Sequence, residues 1–102
     1  MELIDKVTGF EWDEGNIDKN WIKHKVSNSE CEEIFFYQPL IGEDSKHSGT
    51  EKRYAAYGKT VNGRLLTVIF TIRKDKIRII SARDQHKKEI LEYEKNQKNT
   101  KI

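Results

Sequence analysis

The chain is poor in the residues that cross-link, punctuate or anchor a protein. Cys31 is the one cysteine in 102 residues, so no internal disulfide can form, and a lone thiol fits a reducing cytoplasm. Long apolar runs are missing. The longest, Leu65 to Ile72, is interrupted by two threonines and is too short to span a bilayer. The opening Met-Glu-Leu-Ile-Asp-Lys lacks the basic start and apolar stretch of a signal peptide. Metal-ligand patterns are missing too. There is no cysteine pair, no histidine pair at i,i+4 spacing and no dense carboxylate cluster, so neither a metal nor another cofactor is expected. Only 35% of residues are hydrophobic and 35% are charged, which limits the chain to one small core. A single domain over residues 1–102 is expected, with its body at about 10–95 and residues 96–102 frayed.

The charge is plentiful but unevenly placed. Residues 1–50 hold five lysines, no arginine and eleven acids, a net of −6, whereas residues 51–102 hold nine lysines, five arginines and six acids, a net of +8. All five arginines, Arg53, Arg64, Arg73, Arg78 and Arg83, lie in the second half. Planar guanidinium groups bind oxyanions bidentately, so concentrated arginine suits phosphate. A solvated surface with arginines at sheet ends accounts for the same counts.

Local patterns predict an α+β fold: a small antiparallel β-meander with two N-terminal helices and one C-terminal helix. Phe10-Glu11-Trp12 reads as a short strand, and Asp13 as the N-cap of a helix from Glu14 to about His24, with Ile17 and Trp21 on its buried face. Ser27-Asn28-Ser29-Glu30 is a capping box, with Val26 and Cys31 placed as a hydrophobic staple. This second helix should end near Phe36, because Pro39 follows. Residues 42–52 read as an exposed polar loop. Strands are expected over Arg53–Val61, Arg64–Arg73 and Lys76–Ala82. They are joined by a type I′ turn at Asn62-Gly63 and a tight turn at Lys74-Asp75. Asp84 should cap the last helix, with Ile90 and Tyr93 facing inward. On these registers Tyr57, Leu66, Val68, Phe70, Ile72, Ile77 and Ile79 form the core face. Tyr54, Thr71, Arg73, Lys76 and Arg78 surround Ile69 and Ile80 on the other, a basic and aromatic face that could hold nucleic acid. Arg53, Arg64 and Arg83 share the core face's parity and can emerge at its rim.

Several segments resemble the BrnT family, in order, over roughly residues 10–94. They are Phe10-Glu-Trp-Asp13, Asn20 with Lys23-His24, Asp44 with His47-Ser48, and Glu51-Lys-Arg53-Tyr54 with Gly58. Arg64-Leu-Leu66, Thr71-Ile-Arg73, Ile77-Arg-Ile-Ile-Ser-Ala-Arg83, and Glu89 with Tyr93 follow. Lys25 departs from the pattern, because the family usually ends the first helix with glycine. The resemblance implies a RelE-like fold and the toxin component of a type II toxin–antitoxin pair. It implies endoribonuclease activity that arrests translation and growth in the cytoplasm. It also implies a cognate, BrnA-like antitoxin in a hetero-oligomer that represses its own operon. The competing reading is a non-catalytic remnant that still binds the antitoxin. A chromosomal DNA-binding domain fits less well, since no helix joins a basic face to helix-turn-helix spacing.

Metal-free RNA cleavage uses the 2′-hydroxyl as nucleophile. It needs a base, an acid for the leaving 5′-oxygen and cations for the charge that builds on phosphorus. Arginine is too basic to take the proton but clamps phosphate well. Lys23, His24, His47 and Glu51 are therefore the candidates for proton transfer, with Arg53, Arg64 and Arg83 as catalytic cations. Tyr54, Arg73, Lys76 and Arg78 are candidate RNA contacts. His86 could also carry a proton but lies outside the family pattern. Each has a plainer reading: His24 and Lys23 at a helix C-terminus, Glu51 paired with Arg53, Arg83 paired with Glu89.

Overall fold

The computed structural model describes residues 6–99, apart from the side chains of His47 and Asn99. Among these residues five strands form one mixed sheet: β1 (Gly9–Glu11), β2 (Leu40–Glu43), β3 (Tyr54–Lys59), β4 (Leu65–Arg73) and β5 (Lys76–Asp84), in the order β1-β5-β4-β3-β2. The meander β3-β4-β5 is antiparallel as expected, with Arg73 opposite Lys76 across the Lys74-Asp75 turn. Two edge strands extend it. β1 runs parallel to β5, and β2 forms from residues expected in part as loop, pairing antiparallel with β3. The sheet is thus mixed rather than a plain meander. Three helices accompany it: α1 (Lys19–His24), α2 (Asn28–Glu33), continued by a 3-10 turn over Ile34–Phe36, and α3 (Lys87–Asn99).

The core lies between the sheet and the α1–α2 segment. Val26, Cys31 and Ile34 pack on Ala56, Leu66, Val68, Phe70, Ile77, Ile79 and Ala82, with Phe10, Trp12 and Phe35 around them. The capping box of α2 is complete, because the Ser27 hydroxyl accepts from the Glu30 N–H and the Glu30 carboxylate accepts from the Ser27 N–H. Burial pushes the Cys31 thiol up to about 12, which leaves it an inert packing residue.

The first helix is shorter than its pattern. Asp13 starts a turn, its carbonyl accepting from Asn16 and Ile17 and its carboxylate from Gly15, and regular helix begins at Lys19. Ile17 and Trp21 are exposed, and the buried pair one turn apart is polar, Asn16 and Asn20. Asn16 Nδ2 donates to the Ile79 carbonyl and Asn20 Oδ1 accepts from the Ala82 N–H, at 2.9 Å each. These asparagines cover the stretch of β5 that lies beyond the reach of β1. Lys25 ends α1 with φ 55°, which is why glycine suits this position.

Two local irregularities correct the expected faces. The first hairpin has a three-residue loop, Val61-Asn62-Gly63, with Gly63 at φ +90° and Thr60 pairing with Arg64. One more loop residue shifts β3 by one position against β4, and side chains change face. Tyr54 therefore turns to the core side, where it stacks on Phe70 at 5.4 Å, and Tyr57 turns to the other face. The second irregularity is a bulge in β5. Phe70 faces Ile79 and Ile69 faces Ser81, so Ile80 is extra. Beyond it Ala82 faces the core and Arg83, opposite Thr67, shares a face with Tyr57. β5 runs on to Asp84, which binds Arg64 rather than capping α3. The His86 N–H bonds to Glu89 instead, and helix extends through Asn99 where fraying was expected. Tyr93 is buried as anticipated; residues 100–102 lie outside the described residues.

Gly58 sits where the Ile34 turn presses on β3. A Cβ there would lie 2.7 Å from the Ile34 Cβ, which is anchored to backbone. Gly58→Ala should cost about 1–3 kcal/mol, measured by urea unfolding; unchanged stability would mean that this contact is looser than described.

Candidate functional site

The sheet face away from α1 and α2 is covered only in part, by α3. Its side chains fall in rows across the strands. In one row the Asp44 N–H bonds to the Arg53 carbonyl at 2.8 Å, extending the β2–β3 ladder, and one step past Tyr54 opposite Phe70 brings Arg53 level with Thr71. Thr71 faces Arg78, which faces Glu11. At one end of this row Glu51 and Lys76 flank Arg73. Towards the other end lie Ala55, Ile69 and Ser81, then Leu40, Tyr57, Thr67 and Arg83.

Acids from the first half and from α3 neutralise most of the arginines. Glu51 holds Arg73 bidentately at 2.7 and 3.1 Å, and Glu11 lies 3.6 Å from the same guanidinium. Arg78, 11% exposed, is held by Glu11 at 3.0 Å and by both Asp13 oxygens at 2.8 and 2.9 Å. Arg83 binds both oxygens of Glu89 at 2.8 and 2.9 Å, and Glu89 also accepts from Thr67 and from the His86 N–H. These pairs hold the acids ionised. Arg78 lowers Asp13, Arg73 lowers Glu51, and Arg83 brings Glu89 down to about 2. At neutral pH Glu51 can therefore accept a proton but has none to give. Among the described residues Arg53 is the one arginine without a carboxylate partner, and it is near enough to Glu51 to act on its charge.

The expected site residues thus divide. Glu51, Arg53, Arg73, Lys76, Arg78 and Arg83 share the open face. The Lys76 ammonium bonds to the Thr8 hydroxyl at 3.2 Å, at the β1 edge. Tyr54 is on the core side, for the register reason given above. Arg64 stands at the opposite rim, where it donates to the carbonyls of His24 and Lys25, to Glu30 and to Asp84. It ties the α1–α2 turn to the end of β5, and Lys23 and His24 belong to that side. The backbone of His47 lies in a 3-10 turn, Ser45–His47, which follows β2 next to the strand end bearing Arg53; its side chain lies outside the described residues. Sequence reasoning missed Tyr57, whose face turned on loop length, and Glu11 and Asp13, whose acidity gave no sign of where they fold. Glu89 was visible as a partner of Arg83, and the pair is formed. Glu51 pairs with Arg73, not Arg53.

Among the described residues no three His, Cys, Asp or Glu side chains are arranged to hold a metal ion, and no helix is long and apolar enough to cross a membrane. Fold and face together define a small α+β protein that presents ordered arginines beside an aromatic ring. A family model described as "Ribonuclease toxin, BrnT, of type II toxin-antitoxin system" matches residues 12–89. The chain belongs to the BrnT family of type II toxin–antitoxin ribonuclease toxins. A comparison with curated proteins finds no match.

Because Glu89 is ionised far below its ordinary range, its pairing stabilises the fold fully above about pH 4.5, the unfolded value, and the benefit disappears as pH falls towards about 2. Glu89→Gln should cost on the order of 2 kcal/mol at pH 7 and flatten the loss of stability between pH 5 and 2. Chemical denaturation across that range checks this; parallel profiles for the two proteins would show that Arg83 and Glu89 contribute nothing.

Proposed function

We propose that the chain is a metal-independent endoribonuclease of RelE-like fold that cleaves RNA in the cytoplasm and arrests translation and growth. A cognate, BrnA-like antitoxin neutralises it in a hetero-oligomer that represses its own operon. The observation that carries this reading is Arg53, a guanidinium with no carboxylate partner among the described residues, on an open sheet face with Arg73, Arg78 and Arg83, in a chain of a ribonuclease-toxin family. Arg53 is the first cation free to meet a phosphate. Arg83 donates through both terminal nitrogens to Glu89, while its Nε–H takes no partner among the described residues and remains for a second acceptor. Cations held in place before the substrate arrives stabilise the phosphorane without reorganising as its charge builds.

Proton transfer falls to Glu51 or His47. Glu51 is ionised and can serve only as a base at neutral pH, a weak one while Arg73 holds it. His47 can serve as either base or acid. A remnant that binds antitoxin without cutting would keep the fold but not depend on these residues.

The purified chain should cleave RNA in excess chelator. Arg53→Ala and Arg83→Ala should each lower the rate by about 10²–10³. A proton carrier at His47 or Glu51 should cost roughly 10²–10⁴ when replaced by Ala, and His86→Ala should change little. The double variant of Arg53 and Arg83 should also flatten the salt dependence of RNA binding. Cleavage abolished by chelator refutes metal independence. Activity lost with Lys23→Ala or His24→Ala, but kept with His47→Ala and Glu51→Ala, moves the proton chemistry to the end of α1.

A further inference from the structure

Beside the arginine rows lies a cleft of about 310 Å³ lined by Leu40, Tyr57, Lys88, Glu89 and Glu92. We propose that it is a nucleobase subsite, in which a base that carries an exocyclic amino group stacks on the Tyr57 ring; this rests on the ribonuclease reading above. The volume is at the small end of the range for ligand sites, ~300–1,000 Å³, and suits one ring system rather than a stretch of chain. Leu40 and Tyr57 are directly opposite each other on β2 and β3, so an aliphatic and an aromatic wall meet at the sheet. Tyr57 is half-buried, which fixes the ring, and among the described residues its hydroxyl has no hydrogen-bond partner.

The surroundings decide what such a ring would stack with. Arg83 lies two strands across from Tyr57, through Thr67, and acts on its charge together with Glu89 and Asp44. A phosphate at Arg83 would thus place the attached nucleoside next to the ring. On the α3 side Glu89 is already engaged by Arg83, Thr67 and the His86 N–H, so Glu92 is the rim acceptor. Its carboxylate accepts from amino groups of cytosine, adenine or guanine but offers uracil O4 nothing, while Lys88 in the same lining can donate to a ring carbonyl. Aromatic stacking supplies affinity that any base can use, and the acidic rim supplies the preference.

The test titrates the four nucleoside 3′-monophosphates into the intact protein, with inorganic phosphate as the control, and follows saturation transfer to the base protons by NMR. Cytidine, adenosine and guanosine 3′-monophosphates should bind more tightly than the uridine compound and than phosphate, with transfer to their base protons. Tyr57→Leu keeps the apolar bulk and should weaken them roughly 5- to 100-fold, the range for loss of one base–aromatic stack, while Tyr57→Phe should retain most of the affinity. Equal binding of inorganic phosphate, or an unchanged affinity in Tyr57→Leu, overturns the subsite. If the nucleotides bind as expected but the protein cuts no RNA, the ribonuclease reading falls and the subsite stands. If RNA is cut with the same rate and base preference in Tyr57→Leu as in the original chain, the subsite falls and the ribonuclease reading stands.

Discussion

The arrangement of the open face depends on how the outer edge of β5 is held at its bulge. β1 covers only Lys76 to Arg78 of that strand. Past this point, Ile79 would have a carbonyl and Ala82 an N–H with no neighbouring strand, and a buried backbone group left unpaired costs about 1–3 kcal/mol. Asn16 and Asn20 take the place of the missing strand. The Asn16 amide is also held by the Glu11 carbonyl and the Asp13 N–H, so one side chain binds the end of β1, the following turn and β5. With the bulge fixed, Arg83 is directed away from the core and towards Tyr57. Without it, the parity of β5 would carry Arg83 into the apolar side.

The same segment explains the uneven charge of the sequence. The acidic first half folds against the basic second half, Glu11 and Asp13 on Arg78 and Glu30 on Arg64. Arginine here has two uses that composition cannot separate. Arg64, 27% exposed and bound to two backbone carbonyls, is a tie between the α1–α2 turn and β5. Arg53, at the start of β3, has no such duty.

Much of this was legible in the sequence. The capping box at Ser27–Glu30, the tight turn at Lys74-Asp75 and the three meander strands follow from local chemistry, and local chemistry is what a sequence displays. The faces of β3 and of the far half of β5 were not legible, because each depends on a single residue. Asn62-Gly63 is a two-residue turn by its own preference, yet Val61 joins the loop, and Ile80 looks like any other apolar strand residue although it is the extra one. Such one-residue choices are decided by what packs on the sheet. The parallel pairing of β1 has no local signature either, and the burial of Asn16 and Asn20 in place of Ile17 and Trp21 runs against hydrophobic periodicity.

The carboxylates on the face bear on which arginines can meet a phosphate. An exposed ion pair contributes only about 0–1 kcal/mol, so Arg73, 46% exposed, can exchange Glu51 for a phosphate oxygen at little cost. Arg78 is 11% exposed and shared by two acids, and separating it would leave buried charge unpaired, which costs far more. Arg83 lies between these cases, its ends fixed by Glu89 and its Nε–H without a partner among the described residues. The face is therefore graded: Arg53 is without a carboxylate partner among the described residues, Arg73 exchangeable, Arg83 oriented and Arg78 structural. A phosphate backbone that started at Arg53 and ran along β3 would arrive at Tyr57 and the cleft beneath α3 with Arg83 two strands across, while Arg73 lies one row behind Arg53 and Arg78, level with Arg53 on β5, stays with its two acids.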